Sequence, residues 1–128
     1  MRKSKTGYQI VDNTRHACFV LDWYTLCKLD DIAYKFSVPR SSVIRWAISY
    51  AVNHTEIINK DHFIAIKNPT RVTIAISPML EQKLNECRVK LSMSKSDVIR
   101  HAIAYYVKHY NQIHNDVKVK IEAGEKLW

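Results

Sequence analysis

The chain has 128 residues, 47% of them apolar, and 20 Lys and Arg against 12 Asp and Glu give it a net charge of +8. That length supports one modest core, and the apolar share excludes wholesale disorder. No apolar run approaches the ~20 residues of a membrane-spanning helix, and the opening MRKSKTG offers no apolar stretch for a signal peptide. Three cysteines (Cys18, Cys27, Cys87) without CxxC spacing fit a reduced, cytoplasmic setting. The charge is uneven: +2 in residues 1–13, +2 in 14–54, +4 in 70–109, and zero in 55–69 and 110–128. Such a distribution suits a polyanionic partner, with solubility accounting for some of it, and no membrane is expected.

Residues 1–13 read as a basic arm carrying Arg2, Lys3 and Lys5. Residues 14–54 open with Ala17–Leu21, a run apolar at every position. A strand here puts Ala17, Phe19 and Leu21 inward and His16, Cys18 and Val20 outward; a slip of one residue would expose Phe19 instead. Residues 55–69 read as a linker able to span ~50 Å when extended. Residues 70–109 are the clearest stretch. Thr70–Ile76 alternates, with Val72, Ile74 and Ile76 on one face and Arg71, Thr73 and Ala75 on the other, the pattern of a half-buried strand.

Ser77-Pro78 then caps and opens a helix whose apolar stripe is Leu80, Leu84, Cys87 and Leu91. A turn at Leu91–Met93 leads to Ser94-Lys95-Ser96-Asp97, a second cap with Asp97 at the third helical position. The helix that follows is apolar over more than half its girth through Val98, Ile99, Ala102, Ile103, Tyr105 and Tyr106, which predicts a central position. In residues 110–128, Asp116–Ile121 alternates as a short strand would, and Leu127-Trp128 ends the chain; this extension is a candidate surface for a protein partner.

The chain also repeats itself. Residues 16–54 and 71–109 align without a gap at an offset of 55, with 13 of 39 positions identical, among them Leu29/Leu84, Ser41/Ser96, Arg45/Arg100, Tyr50/Tyr105 and His54/His109. The unit is strand, helix, helix, and an isolated strand leaves its backbone groups unsatisfied. The equivalent partner is the strand of the other copy. The expected fold is therefore mainly α with a short two-stranded antiparallel β-ribbon (α+β), in which two copies pair within one chain as a pseudo-dimer.

The segments RVTIAIS and LSMSKSDVIRHAI, with FSVPRSSVIRWAI in the first copy, resemble the ribbon-helix-helix DNA-binding family of the Arc, MetJ and CopG repressors. Tandem copies in one chain are similar to regulators of archaeal viruses. The resemblance implies a transcription regulator and repressor that binds double-stranded DNA by a ribbon entering the major groove. Its outward side chains, Arg71, Thr73 and Ala75 on one strand and His16, Cys18 and Val20 on the other, are then the base readers. An arginine can bind guanine O6 and N7 together, and threonine can donate, accept or touch a thymine methyl. Cys18 and Val20 cannot make paired hydrogen bonds, so the ribbon is expected to read unequally.

The start of the second helix in each copy is the expected phosphate clamp, since free amides and the helix dipole attract anions there. Its residues are Ser94, Lys95 and Ser96 in one copy and Arg40, Ser41 and Ser42 in the other, where Pro39 replaces the capping serine. The arm residues Arg2, Lys3 and Lys5 are expected on phosphates or in a minor groove. Ser37 and Ser92 stand at a turn where the family often has glycine. Arg45 and Arg100 read as structural, and Tyr50 and Tyr105 as core or interface residues.

No cofactor or metal is expected. His54 and His109 lack an i+4 His or Cys partner, and no nucleophile triad, carboxylate pair or glycine-rich phosphate loop is present. The chain reads as a non-enzyme. Self-association on adjacent DNA sites is expected, because one ribbon covers a short site. Two rival readings are an antitoxin-like autoregulator whose residues 110–128 bind a toxin, and an architectural protein that coats DNA.

Overall fold

The computed structural model describes residues 15–122 apart from 60 and 63, with side chains described as far as residue 113. Arg2, Lys3, Lys5 and the terminal Leu127-Trp128 lie outside the described residues. The elements run β1 (Arg15–Asp22), α1 (Trp23–Lys35), α2 (Arg40–Asn53), a 3₁₀ turn (Thr55–Ile57), β2 (Pro69–Ile76), α3 (Pro78–Leu91) and α4 (Lys95–Glu122). The protein is mainly helical with one two-stranded antiparallel sheet, β1 against β2.

The register follows from which faces are apolar. Ala17, Phe19 and Leu21 of β1 and Val72, Ile74 and Ile76 of β2 are all buried, while His16, Cys18, Arg71 and Thr73 are exposed. Val20 and Ala75 are half-buried. Pairing sets Cys18 opposite Thr73, Val20 opposite Arg71, and His16 opposite Ala75. The ribbon thus lies on the helices by one face and turns the other outward. A slip by one residue would expose Phe19, and the cost of uncovering it holds the pairing.

Capping residues set the helix starts. The Ser77 hydroxyl accepts from the Leu80 amide at 3.1 Å, with Pro78 at the first helical position. Asp22 does the same for α1, accepting from the Tyr24 amide at 3.1 Å, and its other oxygen accepts from the Lys67 amide at 2.9 Å. That second bond ties the end of the linker to the end of β1. The turns after α1 and α3 use Ser37 (φ 56°) and Ser92 (φ 55°) in the left-handed region. A side chain with a Cβ costs about 1–2 kcal/mol there. Both copies bear that cost at the same place.

The helices α2 and α4 pack against each other as the central pair. They bury Val43, Ile44, Ala47 and Ile48, and Val98, Ile99, Ala102 and Ile103, in one core, each at most 1% exposed. Leu29 of α1 and Leu84 of α3, both 0% exposed, close the core from the flanks. Full burial of such a side chain contributes about 1.5–3 kcal/mol. The linker is more than a tether, since Ile58 is buried in the same core.

One expectation is corrected. Asp116–Ile121 is not a strand: α4 continues to Glu122, interrupted at His109, whose φ of −126° and ψ of 20° are not helical. A strand there would need a ladder partner, whereas a helix satisfies its backbone groups within its own segment. Past the break, Ile113 is buried and Tyr110 meets Phe36 of α1 edge to face, 6.2 Å between ring centres. The Lys35 ammonium lies over the Tyr110 ring at 5.2 Å. The second copy's last helix therefore closes on the first copy's first helix. No described helix is long and apolar enough to cross a membrane.

Candidate nucleic-acid interface

The outward ribbon face gathers Arg71, Thr73 and Cys18 into one cluster. An Arg71 guanidinium N–H donates to the Cys18 sulfur at 3.3 Å, and the Thr73 hydroxyl donates to it at 3.5 Å. The Thr73 bond first, then the Arg71 bond, holds the Cys18 thiol below its ordinary range. Arg71 is thus drawn along the ribbon toward its middle, where Cys18 and Thr73 face each other. His16 and Ala75 stand at the other end. Next to them Arg15, a position whose parity points inward, is half-exposed because it begins the strand.

The helices α2 and α4 reach the ribbon through Arg45 and Arg100, and their first turns carry the remaining candidate residues. Ser94 caps α4: the Asp97 amide donates to its hydroxyl at 3.1 Å and the Val98 amide to its carbonyl at 3.0 Å. Lys95 lies 3.9 Å from the Glu81 carboxylate, which Arg15 also approaches at 3.5 Å. Ser96 is half-buried in the first turn. In the first copy Pro39 supplies no side-chain cap, Arg40 pairs with Asp30 at 3.3 Å, and Ser41 is half-buried. Lys95 and Arg40, at equivalent positions in the two copies, each lie beside a neighbouring carboxylate. The Arg40–Asp30 pair is exposed, and such a pair contributes only about 0–1 kcal/mol.

Two features depend on tertiary contact and were not readable in the chain. Arg45 on α2 donates to the Ala75 carbonyl on β2 at 3.1 Å, and Arg100 on α4 donates to the Val20 carbonyl on β1 at 3.3 Å. Each arginine thus holds the strand of the other copy, at equivalent positions 20 and 75. Arg45 is steadied by the Ser42 hydroxyl at 3.3 Å, and Arg100 by Asp97, whose carboxyl the arginine holds below its usual range. The second feature is a line of rings: Tyr50 and Tyr105 stack at 6.2 Å, with His54 on Tyr50 at 4.1 Å and His109 beside Tyr105 at 4.3 Å.

The first turns of α4 and α2 thus carry Lys95 with Ser96 and Arg40 with Ser41, and β1 with β2 carries the outward side chains. Among the described residues no cluster of three or more His, Cys, Asp or Glu is arranged to hold a metal ion. Comparisons with protein-family models, with curated proteins and with solved structures find no match to this chain.

Proposed function

We propose that the chain is a sequence-specific double-stranded DNA-binding transcription regulator, a tandem ribbon-helix-helix pseudo-dimer that inserts its β-ribbon into the major groove. The observation that carries this reading is the ribbon's construction. One face buries Ala17, Phe19, Leu21, Val72, Ile74 and Ile76, the other presents Arg71, Thr73, His16 and Cys18, and α2 and α4 grip the strands through Arg45 and Arg100. A two-stranded ribbon fits the major groove in width, and its outward side chains then meet base edges. Lys95 and Arg40 supply the counterion-releasing contacts that hold it there.

The pairing register supports the pseudo-dimer. Residues 18 and 73 are equivalent by the 55-residue offset, and they lie directly opposite each other. An approximate two-fold axis through that pair exchanges the copies, and the crossed Arg45 and Arg100 bonds obey it. Nuclease footprinting of the intact protein on the DNA upstream of its own gene tests the reading. A protected tract at physiological salt that competitor DNA does not erase is the expected result. Uniform weak coverage without a preferred tract would sink it.

A further inference from the structure

The recognised DNA depends on what the two halves of the ribbon present, and they present different groups. None of the 13 identities between the copies falls in a strand; all lie from Lys28/Lys83 onward. Several are the buried contacts of the scaffold, Leu29/Leu84, Val43/Val98, Ile44/Ile99 and Ile48/Ile103. The inward strand positions differ only among apolar side chains: Ala17 with Val72, Phe19 with Ile74, Leu21 with Ile76. The outward ones differ in chemistry: His16 with Arg71, Cys18 with Thr73, Val20 with Ala75. A symmetric scaffold therefore carries a face with no symmetry.

The cross-strand pairing turns this into two unlike arms. One arm holds Arg71 beside Val20, a forked cation next to a branched apolar group. The other holds His16 beside Ala75, an imidazole next to a methyl. The donors around the axis also belong to one strand, since the Arg71 guanidinium and the Thr73 hydroxyl both point at Cys18. The candidate clamps differ in the same sense. Lys95 sits on a capped helix and shares Glu81 with Arg15, whereas Arg40 sits on an uncapped one beside Asp30.

Resting on the DNA-binding reading above, we infer that the protein recognises a directional site with no two-fold symmetry and docks on it in a single orientation. A guanine lies under Arg71, where a forked donor meets O6 and N7, and the opposite arm carries a different base pair. Reversing the protein on the same duplex would place His16 over that guanine, and an imidazole cannot make the two parallel bonds.

Selection of the intact protein from a pool of randomised duplexes tests this. The expected consensus is asymmetric, and palindromes built by doubling either arm bind at least about tenfold more weakly than the selected site. The triple variant His16→Arg, Cys18→Thr, Val20→Ala gives both strands the same outward groups. Its expected preference switches to the palindrome that doubles the Arg71 arm. A palindromic consensus for the unaltered protein overturns the inference but leaves DNA recognition standing, and so does a triple variant that keeps the original consensus. No enriched duplex at all overturns the DNA-binding reading and this inference with it.

Discussion

Arg71 carries more of the proposed recognition than any other single side chain, because it alone on the outward face has a forked donor. Replacing it with Ala is expected to cost about 1–3 kcal/mol of binding and to relax preference at one base position. His16→Ala is expected to cost clearly less. Competition binding on single-base variants of the selected site measures both, and equal losses would mean the groove assignment is wrong.

Cys18 offers a second probe at the same scale. Its thiol lies below the ordinary range, held there by Thr73 and then Arg71, so more of it is thiolate at neutral pH. Cys87 is buried, and burial pushes its thiol up. Alkylation followed by mass spectrometry should therefore label Cys18 first and Cys87 last. The Cys18 rate should climb with pH at values below those at which an unperturbed thiol responds. If the DNA reading holds, bound duplex protects Cys18 and leaves the Cys87 rate unchanged.

Among the elements, the helix starts should separate affinity from specificity. Lys95→Ala is expected to weaken binding to all duplexes alike and to flatten the salt dependence of log K by about one contact. Arg40→Ala should do so more weakly, because Pro39 leaves α2 without a side-chain cap and Asp30 lies nearer to Arg40 than Glu81 to Lys95. Titrations at several salt concentrations check this. A changed base preference at an unchanged slope would instead make Lys95 a reader.

At this scale, much was legible. The alternation of Val72, Ile74 and Ile76 gave β2 its parity, and Ser77-Pro78 marked the start of α3. The parity of β1 was harder, since Ala17–Leu21 is apolar throughout; the 55-residue offset to β2 and the cost of exposing Phe19 together set it. The helical end of α4 was hidden because Asp116–Ile121 alternates with period two, a pattern that does not tell whether a strand is at hand to pair with it, while a helix needs none. The carboxylates under Lys95 and Arg40, and the carbonyls under Arg45 and Arg100, were beyond reach. Each joins segments that meet only after the helices dock.

For the whole molecule, both strands and the four helices of the described residues come from one chain, so each strand has its ladder partner within that chain. Sedimentation at nanomolar concentration is expected to show a folded monomer. An obligate dimer at that dilution would indicate strands exchanged between chains. Assembly on DNA is a separate step, expected only when sites lie side by side.

The crossed arginine bonds have one more consequence. Arg45 and Arg100 each fasten the half of the chain to which they do not belong, and Tyr110 adds a third tie across the same divide. The backbone between Asn59 and Ile64 is therefore not what keeps the halves together; it keeps them at high local concentration. A protease nick there should leave two fragments that stay associated as a heterodimer. Its melting temperature should fall on dilution, as that of the uncut chain does not. Fragments made separately should restore the fold when mixed, each acting as the template on which the other's strand finds its register.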